Sequence, residues 1–470
     1  MTFPAYPTYR HSGVEWLGVV PEHWGVKQLR YLGRFRKGLT ITKADLTDTG
    51  IPCLNYGEVH SLYPFEMNQD IHPLKSVPAE YLETDPSACV KYGDFVFADT
   101  SEDLDGVGNF THVSGMEPLF AGYHTIIYSL NSDVSSRFLA YCLESFPFRM
   151  QLRMGVKGVK VFSVTQEILR GGIAWLPTTA EQTQIARFLD HETARIDTLI
   201  EEQQRLIELL KEKRQAVISH AVTKGLDPMV PMKDSGVEWL GEVPAHWVVC
   251  ANRRAIRFIE QGWSPECESY PAEEDGWGVL KAGCVNRGFF DSSENKTLPS
   301  TLKPIPEYEV RAGDILMSRA SGSPELVGST ALLGQVRERL MLSDKIFRVH
   351  LEEKVSRQFF VWVMNAQFMR SQIEQALSGG NGLANNLPQS SLLAFWLALP
   401  PEHEQGAIAE LINEKTGRID ELIAEGDLAV ELLQERRSAL ISAAVTGKID
   451  VRGWQLPVIA KAPELKLEAV

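Results

Sequence analysis

The chain has 470 residues, of which 44% are hydrophobic and 23% charged, as in ordinary globular proteins with more than one domain. Its net charge of −14 argues against bulk electrostatic binding to nucleic acid, and no apolar run reaches the roughly eighteen residues of a membrane span. The opening residues lack the basic and apolar regions of a signal peptide, and the six cysteines are scattered without a Cys-x-x-Cys pair, so we expect a cytoplasmic protein with reduced thiols and no bound metal.

The chain opens with a motif that returns once. Residues 12–18 read Ser-Gly-Val-Glu-Trp-Leu-Gly, and the same seven residues stand at 235–241, a shift of 223. Three further residues follow each copy at the same shift, namely Pro21, His23 and Trp24, and then Pro244, His246 and Trp247. This period is far longer than the roughly 20–50 residues of solenoid and propeller repeats, so it indicates a duplicated domain. We expect two similar bodies related by an approximate two-fold axis.

The middle of each copy, roughly 35–170 and 255–390, has diverged. Only fragments still align, such as 93–97 with 313–317. Short apolar runs predict strands at 95–97, 125–128, 315–317 and 346–349, and longer runs after serine predict helices at 138–143 and 359–364. We therefore predict α+β domains. Because the ends are retained while the middles have diverged, we favour a common scaffold that binds two different ligands. The alternative is neutral drift after duplication.

Residues 180–222 are predicted to form one long helix. Apolar residues recur there at spacings of three, four and seven without Pro or Gly, Thr179 is the expected N-cap, and Gly225 ends the pattern. A matching helix is predicted at about 402–446. Some 40 residues make a rod of roughly 60 Å, longer than a domain of this size, so we expect the two helices to pair as an antiparallel coiled coil and not merely to cover their own domains. The predicted coiled-coil residues are Ile185, Leu189, Ile196, Leu199, Leu210, Ile408, Ile412, Ile419, Leu422 and Leu433.

These features divide the chain into five segments. They are a first globular domain at 1–178, a central helix at 179–226, a second globular domain at 227–399, a distal helix at 400–447 and a tail at 448–470. The tail has no counterpart after the central helix, and Trp454 favours its packing against the first domain over a loose end.

No catalytic motif is recognisable. The sequence holds no Gly-x-x-x-x-Gly-Lys-Ser/Thr loop, no His-Glu-x-x-His, no Gly-x-Ser-x-Gly and no Asp/Asn-Pro-Pro-aromatic motif for amino-group methylation. We predict a chain that binds and does not catalyse alone.

Polar and basic residues on predicted loops suit contacts to phosphates and base edges. The candidates in the first domain are Arg34, Arg36, Lys37, Asn55, Tyr56, Thr100, Ser101, Asn109, Lys157 and Lys160. Those in the second are Gln261, Lys281, Asn286, Arg319, Ser321, Lys345, Asn381, Asn385 and Asn386.

Two glycine-rich loops hold several of these candidates. Residues 378–386 read Ser-Gly-Gly-Asn-Gly-Leu-Ala-Asn-Asn, and 155–160, at the same shift of 223, read Gly-Val-Lys-Gly-Val-Lys. Glycines interleaved with amides or lysines permit close approach to a duplex. A solvated loop is the alternative for any single residue, but the matched position favours binding for the pair. Trp16 and Trp239 are identical in both copies, so we expect them to pack the chain start onto its own domain and not to discriminate bases.

These residues resemble the specificity subunits of type I restriction-modification systems. The resemblance rests on the opening motif with its Pro-x-His-Trp, on Leu-Pro steps at 176–177 and 399–400, and on Thr-x-Arg-Ile-Asp at 193–197 and 416–420. It covers essentially the whole chain, in duplicate.

The resemblance implies a non-catalytic subunit in which each globular domain is a target recognition domain that reads one half of a bipartite double-stranded DNA sequence. The paired helices would set the spacing between the half-sites and dock two methylation subunits. Those partners would bind S-adenosylmethionine and methylate an adenine in each half-site, and motor-nuclease subunits would complete the complex. No cofactor is expected on this chain itself.

Two other functions fit the same sequence. One is a structural adaptor whose duplicated domains grip two copies of a partner protein without reading DNA; sequence-selective binding in the presence of the methylation partner would separate it from the first. The other is a fused methyltransferase with an unrecognised active site, which fails if the purified chain neither binds S-adenosylmethionine nor labels DNA.

Overall fold

The computed structural model describes residues 3–14, 16–131, 133–158, 160–286, 288–377 and 385–457. Their contacts divide the chain into two compact units, one made of Met1–Gln203 with Ala429–Val470 and the other of Gln204–Leu428. Each unit holds one α+β domain together with part of the central helix Thr179–Lys224 and part of the distal helix Glu402–Val445. The predicted fold class is therefore confirmed. No helix of the described residues is long and apolar enough to cross a membrane.

The first domain is built around two sheets. Its five-stranded sheet has the order Gly33–Lys37, Thr125–Leu130, Phe95–Ala98, Phe110–Val113 and Phe65–Met67, and is antiparallel except for the last pair. Its four-stranded sheet has the order Ser76–Val77, Ile51–Leu54, Leu119–Ala121 and Cys89–Val90, with a parallel central pair. Two-stranded ribbons pair Tyr9–His11 with Val19–Pro21, Gly25–Gln28 with Ile173–Leu176, and Thr100–Ser101 with Phe162–Ser163. The helices are Tyr81–Thr84, Ser136–Glu144, Phe146–Gly155 and Gln166–Gly171, with a π-helix at Glu58–Leu62 and 3-10 turns at Leu29–Tyr31, Lys43–Asp45 and Pro86–Ala88.

The second domain repeats this plan with smaller sheets. Its four-stranded antiparallel sheet has the order Ile256–Gln261, Ile346–Leu351, Ile315–Ser318 and Thr330–Leu332. A three-stranded sheet has the order Asn295–Thr297, Gly278–Leu280 and Leu340–Met341. Ribbons pair Met232–Asp234 with Glu242–Pro244, Val248–Ala251 with Trp396–Leu399, Val285–Asn286 with Phe289–Phe290, and Ala320–Ser321 with Asn385–Asn386. The helices are Arg357–Met364, Gln367–Ala376 and Gln389–Ala394, with 3-10 turns at Asn252–Arg254, Ala282–Cys284, Pro306–Tyr308 and Pro324–Leu326.

The largest sheet of each domain is covered on both faces, which explains its continuous apolar strands. Along Phe95–Ala98, Phe95 and Phe97 enter one core while Val96 and Ala98 enter another. Ile315–Ser318 divides in the same way, with Ile315 and Met317 on one side and Leu316 on the other. Side chains alternate between the faces of a strand, so a strand buried on both faces can be apolar at successive positions.

The repeated opening motif forms the same turn in both copies. The backbone N–H of Ser12 donates to the carbonyl of Gly18 at 2.9 Å, and that of Ser235 donates to Gly241 at 3.0 Å. Gly18 and Gly241 have φ of 70° and 60°, a region that favours glycine. Trp16 packs beside Trp175 at 6.0 Å, as expected for the first copy, and Trp239 is 36% exposed.

The N-cap of the central helix is one residue earlier than predicted. The hydroxyl of Thr178, and not that of Thr179, accepts from the backbone N–H of Glu181. The carboxylate of Glu181 accepts in return from the N–H of Thr178 at 3.1 Å. This reciprocal capping box uses Glu181, three residues after Thr178. Gln182, three residues after Thr179, instead accepts from the N–H of Ser135 and donates to the carbonyl of Pro177. Gly225 and Gly447 follow the two helices with φ of 74° and 72°.

The two long helices run antiparallel within each unit. In the second unit Arg214 of the central helix pairs with Asp420 of the distal helix, and in the first unit Arg437 pairs with Asp197. Of the predicted coiled-coil residues, six are buried and Leu210 and Leu433 are half-buried; the six are Ile185, Leu189, Ile196, Ile408, Ile412 and Ile419.

Two predicted coiled-coil positions need correction. Leu199 and Leu422, which are equivalent at the shift of 223, are 43% and 50% exposed. The apolar stripe predicted from the sequence is wider than the face that a single partner helix covers. Leu199 and Leu422 lie at the edge of that stripe and stay exposed outside the contact between the helices.

The described part of the tail packs on the first domain, as Trp454 suggested. The Trp454 ring meets Phe188 at 5.4 Å, and its carbonyl accepts from Gln184 Nε2 at 2.6 Å. The guanidinium of Arg452 lies over the ring of Tyr6 at 4.8 Å.

All six cysteines are free thiols, and burial raises the pKa of three of them, Cys53, Cys142 and Cys284, to about 12.

Candidate nucleic-acid interface

One strand in each domain carries the chain from the core to the same kind of surface. Phe95–Ala98 and Ile315–Ser318 are buried throughout, and each is followed by a charged residue that is only half-buried, Asp99 in the first domain and Arg319 in the second. The chain then forms a short ribbon, Thr100–Ser101 with Phe162–Ser163 just after the first glycine-rich loop, and Ala320–Ser321 with Asn385–Asn386 at the end of the second. The two domains therefore reach the surface by one backbone route.

Three pairs of backbone hydrogen bonds fix this route. Asp99 N–H donates to the carbonyl of His124 at 3.1 Å, and Arg319 N–H donates to that of Lys345 at 2.8 Å. The carbonyls of Asp99 and Arg319 accept from Val164 at 2.8 Å and from Leu387 at 2.9 Å. The backbone N–H of Ala98 donates to the carbonyl of Asn109 at 3.1 Å, and that of Ser318 donates to the carbonyl of Ser329 at 2.9 Å. Asp99 and Arg319 thus occupy matched positions, each held from both sides.

In the first domain this geometry gathers several predicted contacts around Asp99 and His124, and we call this group the first matched surface. Thr100 adjoins Asp99, and Lys157 and Lys160 are exposed in the loop that leads to Phe162–Ser163. Ser101 needs correction as a predicted contact, because it is buried and its hydroxyl donates to the carbonyl of Asp103 at 2.7 Å. The members from other strands and loops are Lys37, exposed beside the start of Thr125–Leu130, and Tyr56, whose ring meets that of His124 at 5.8 Å.

The centre of the first matched surface combines an acid, an imidazole and aromatic rings. Oδ1 of Asp99 lies 3.1 Å from Nδ1 of His124, and the side chains are 33% and 57% exposed. The ring of Tyr123 meets that of Tyr56 at 5.9 Å. Burial, followed by the charge of Glu58, raises the pKa of Tyr123, so its hydroxyl stays protonated and can donate.

Asn109 belongs to a neighbouring polar network. Its Nδ2 lies 2.5 Å from Nδ1 of His60, and its Oδ1 accepts from Arg149 at 2.6 Å. Arg149 also donates to Glu144 at 2.8 Å. His60 lies on the π-helix Glu58–Leu62. Such helices are rare in proteins, and those that occur are often found at functional sites.

Three predicted contacts of the first domain lie elsewhere. Arg36 donates to the carbonyls of Ser87 and Cys89, to Asp94 and to Ser129, so its guanidinium is engaged by four acceptors of its own domain. Asn55 is fully buried, with its Nδ2 3.3 Å from the carbonyl of Cys53. Arg34 is exposed at the far end of the strand Gly33–Lys37, three residues from Lys37 and therefore roughly 10 Å from it.

In the second domain the predicted contacts gather around Asp344, and we call this group the second matched surface. Arg319 Nη1 and Gln261 Nε2 donate to the carbonyl of Asp344 at 3.0 and 2.9 Å, and Lys345 lies 3.2 Å from its carboxylate. Burial raises the pKa of Asp344, but hydrogen bonds from Ser264 and Lys345 outweigh it and the net shift is downward, so the carboxylate is ionised.

The remaining candidates of the second domain are spread around this group. Asn385 and Asn386 pair with Ser321 and Ala320, and Asn385 Nδ2 donates to the carbonyl of Gly322 at 3.3 Å. Lys281 lies 3.6 Å from Glu294, and Asn286 is half-buried on a ribbon next to it. Asn381 and most of its glycine-rich loop lie outside the described residues.

Asp99, His124 and Asp344 are not among the contacts predicted from the sequence. A signal for the first existed, because Asp99 and Arg319 stand two residues after the aligned fragments 93–97 and 313–317. Extending that alignment pairs the acidic residue Asp99 with the basic residue Arg319. Among the described residues no group of three His, Cys, Asp or Glu side chains is placed to hold a metal ion.

No protein-family model matches the chain. Among curated proteins, the specificity subunit of the type I restriction enzyme EcoEI from Escherichia coli is 31% identical over 242 residues, which are 51% of this chain and 40% of that protein. That alignment therefore spans less than half of the relative. The specificity subunit of the EcoKI enzyme from Escherichia coli strain K12 is 21% identical over 457 residues, covering 95% of this chain and 93% of that protein.

Solved structures give the same fold. A chain from a study of complex assembly and conformational transition in the type I R-M system superposes with a TM-score of 0.67 at 14% identity, covering 92% of this chain and 99% of that one. The HsdS subunit from Thermoanaerobacter tengcongensis superposes with a TM-score of 0.50 at 15% identity, covering 92% and 98%.

Proposed function

We propose, on the premise that this chain is a homologue of the specificity subunits of type I restriction enzymes, that it selects the DNA sequence on which such an enzyme acts. Each globular domain reads one half of a bipartite target. The observation that carries this proposal is the pair of matched surfaces, since one backbone frame presents Asp99 with His124 in one domain and Arg319 with Lys345 in the other. A shared frame with different polar groups suits two different half-sites.

The chain's own charge limits how it can hold DNA. The net charge is −14. Residues 181–227 hold 9 Asp and Glu against 7 Lys and Arg, and residues 404–450 hold 10 against 5, so these two mostly helical stretches supply −7 of it. The exposed lysines of the first matched surface, Lys37, Lys157 and Lys160, supply local contacts to phosphates. The remaining neutralisation of the phosphate backbone comes from partner subunits in this proposal.

The long helices set the spacing of the half-sites and dock two methylation subunits. Leucines on both helices support the docking role, because Leu199 and Leu209 are 43% and 52% exposed and their equivalents Leu422 and Leu432 are 50% and 55% exposed. Exposed apolar side chains that recur at the repeat shift suit two copies of one partner. S-adenosylmethionine and the adenine-methylation chemistry belong to those partners, motor-nuclease subunits complete the complex, and this chain is not catalytic by itself.

Selection from random DNA tests the proposal. The chain, assembled with its methylation subunit, is incubated with duplexes that carry a randomised region, and the retained molecules are sequenced. Enrichment of two short motifs at a fixed separation supports the specificity role. Retention without sequence preference contradicts it and favours the structural adaptor. The methylation subunit alone is the control, because any motif that it enriches does not depend on this chain.

A further inference from the structure

Asp99 and Arg319 are the point at which the two matched surfaces differ most in chemistry. Their backbones are equivalent, as the three pairs of hydrogen bonds show, yet one side chain is an anion and the other a cation. Neither replaces a core residue, because both are half-buried directly after a fully buried strand. A charge reversal on a rigid frame changes recognition while leaving the fold in place.

Arg319 is held in one orientation with donors to spare. Its guanidinium lies 5.9 Å from the centre of the Phe347 ring, and its Nη1 donates to the carbonyl of Asp344 at 3.0 Å. A guanidinium carries five N–H donors, and that hydrogen bond is the one it makes among the described residues. The remaining donors can form the paired contact to O6 and N7 by which arginine recognises guanine in the major groove.

Asp99 has the opposite capacity. An ionised carboxylate only accepts hydrogen bonds, and its one side-chain partner among the described residues is His124, at 3.1 Å from Oδ1. A phosphate would repel it, so a carboxylate at the centre of a DNA-facing surface fits a donor on a base. In the major groove those donors are the amino groups of cytosine N4 and adenine N6.

We propose that Asp99 and Arg319 are matched specificity-determining residues. Arg319 selects guanine in one half-site, and Asp99 selects a base with an exocyclic amino group in the other. His124 orients the Asp99 carboxylate, and the carbonyl of Asp344 orients Arg319. This inference rests on the proposed function, because it requires that both surfaces face DNA.

The experiment repeats the selection from random duplexes with four variants in complex with the methylation subunit. Arg319→Ala relaxes one guanine position of one half-site by about 10- to 100-fold and leaves the other half-site unchanged. Arg319→Lys keeps the charge and most of the affinity but loses the guanine preference. Asp99→Asn changes one position in the other half-site. The control Arg311→Ala removes an arginine of the second domain that is 76% exposed, and it changes neither motif.

The outcomes separate the two proposals. A wild-type complex that selects no bipartite motif overturns the proposed function and this inference with it. A bipartite motif that Arg319→Ala weakens equally at every position makes Arg319 a phosphate contact and overturns the inference alone. A circular dichroism spectrum and melting temperature like those of the wild type establish that each variant is folded before its motif is read.

Discussion

Arg214 of the central helix donates from Nε to Oδ1 of Asp420 on the distal helix at 2.8 Å. The residues 223 positions away from each, Arg437 and Asp197, form the same contact at 2.7 Å in the other unit. Each Asp ends a Thr-x-Arg-Ile-Asp segment, so a repeated sequence motif and a repeated ion pair coincide. The duplication is therefore present in the helix pairing as well as in the domains.

The contact between Arg214 and Asp420 contributes little stability by itself. The two side chains are 21% and 40% exposed, and ion pairs with that much solvent are worth about 0.2–1 kcal/mol. We expect a double-mutant cycle of Arg214→Ala and Asp420→Ala to give a coupling energy in this range by urea unfolding. A cycle of Arg418 with Glu414, an exposed pair along one helix, is the control and should give no more than about 0.5 kcal/mol. A coupling above 2 kcal/mol would contradict this assignment.

Acidification should destabilise the first domain through His112. Burial, with a further contribution from Arg137, lowers the pKa of this histidine to about 4, and neither ring nitrogen has a hydrogen-bond partner among the described residues. Between pH 6.5 and about 4 the unfolded chain binds a proton that the native state does not, so the free energy of unfolding falls as the pH falls. The full effect is at most about 3 kcal/mol.

Urea unfolding at pH 7.5, 6, 5 and 4.5 measures this dependence. His112→Gln should remove most of the slope between pH 6.5 and 4.5, while His220→Gln, at an exposed position of the central helix, should leave it intact. An identical slope in His112→Gln and the wild type would show that other groups cause the acid sensitivity.

Matched insertions test the spacing role of the long helices. The two units meet in sequence between Gln203 and Gln204 and between Leu428 and Ala429. Four residues inserted at both points leave the pairs Arg214–Asp420 and Arg437–Asp197 intact within their units, and lengthen each helix by about 6 Å. We expect both half-site sequences to persist with a gap about two base pairs longer, as measured by selection from random duplexes. An unchanged gap would refute the spacing role.

The exposed leucines should matter for the partner and not for the DNA sequence. Replacing Leu209 and its equivalent Leu432 with Asp places charge where apolar contact is proposed, so binding of the methylation subunit should weaken at least 10-fold in a calorimetric titration. The matched control replaces Glu208 and Glu431, two exposed acids beside them, with Gln. Equal affinity of the Leu variant and the wild type would place the docking surface elsewhere.

The sequence predicted the large features of the fold because they depend on local patterns. Both long helices follow from apolar spacing and from Gly225 and Gly447, and the strands Phe95–Ala98 and Ile315–Ser318 follow from short apolar runs. The shift of 223 then related the opening motif and the long helix of one half to those of the other.

The candidate site was predictable only in part, because residue type does not reveal direction. Arg36 and Asn55 are polar, yet strand pairing turns Arg36 towards four acceptors of its own domain and the packing of Gly122 against Asn55 encloses its side chain. Asp99 was missed because an acid is an unexpected residue on a DNA-facing surface. Its importance emerges once it is paired with Arg319, a pairing that the aligned fragments 93–97 and 313–317 suggest and the backbone hydrogen bonds establish.

The most direct test of the specificity role is the adenine methylation of a whole genome. Cells that carry this chain with its methylation subunit are compared with cells in which this chain alone is deleted, and methylated adenines are mapped by long-read sequencing. The account predicts a bipartite motif, methylated in both halves, that disappears on deletion. A bipartite methylation pattern that persists unchanged without this chain would contradict it.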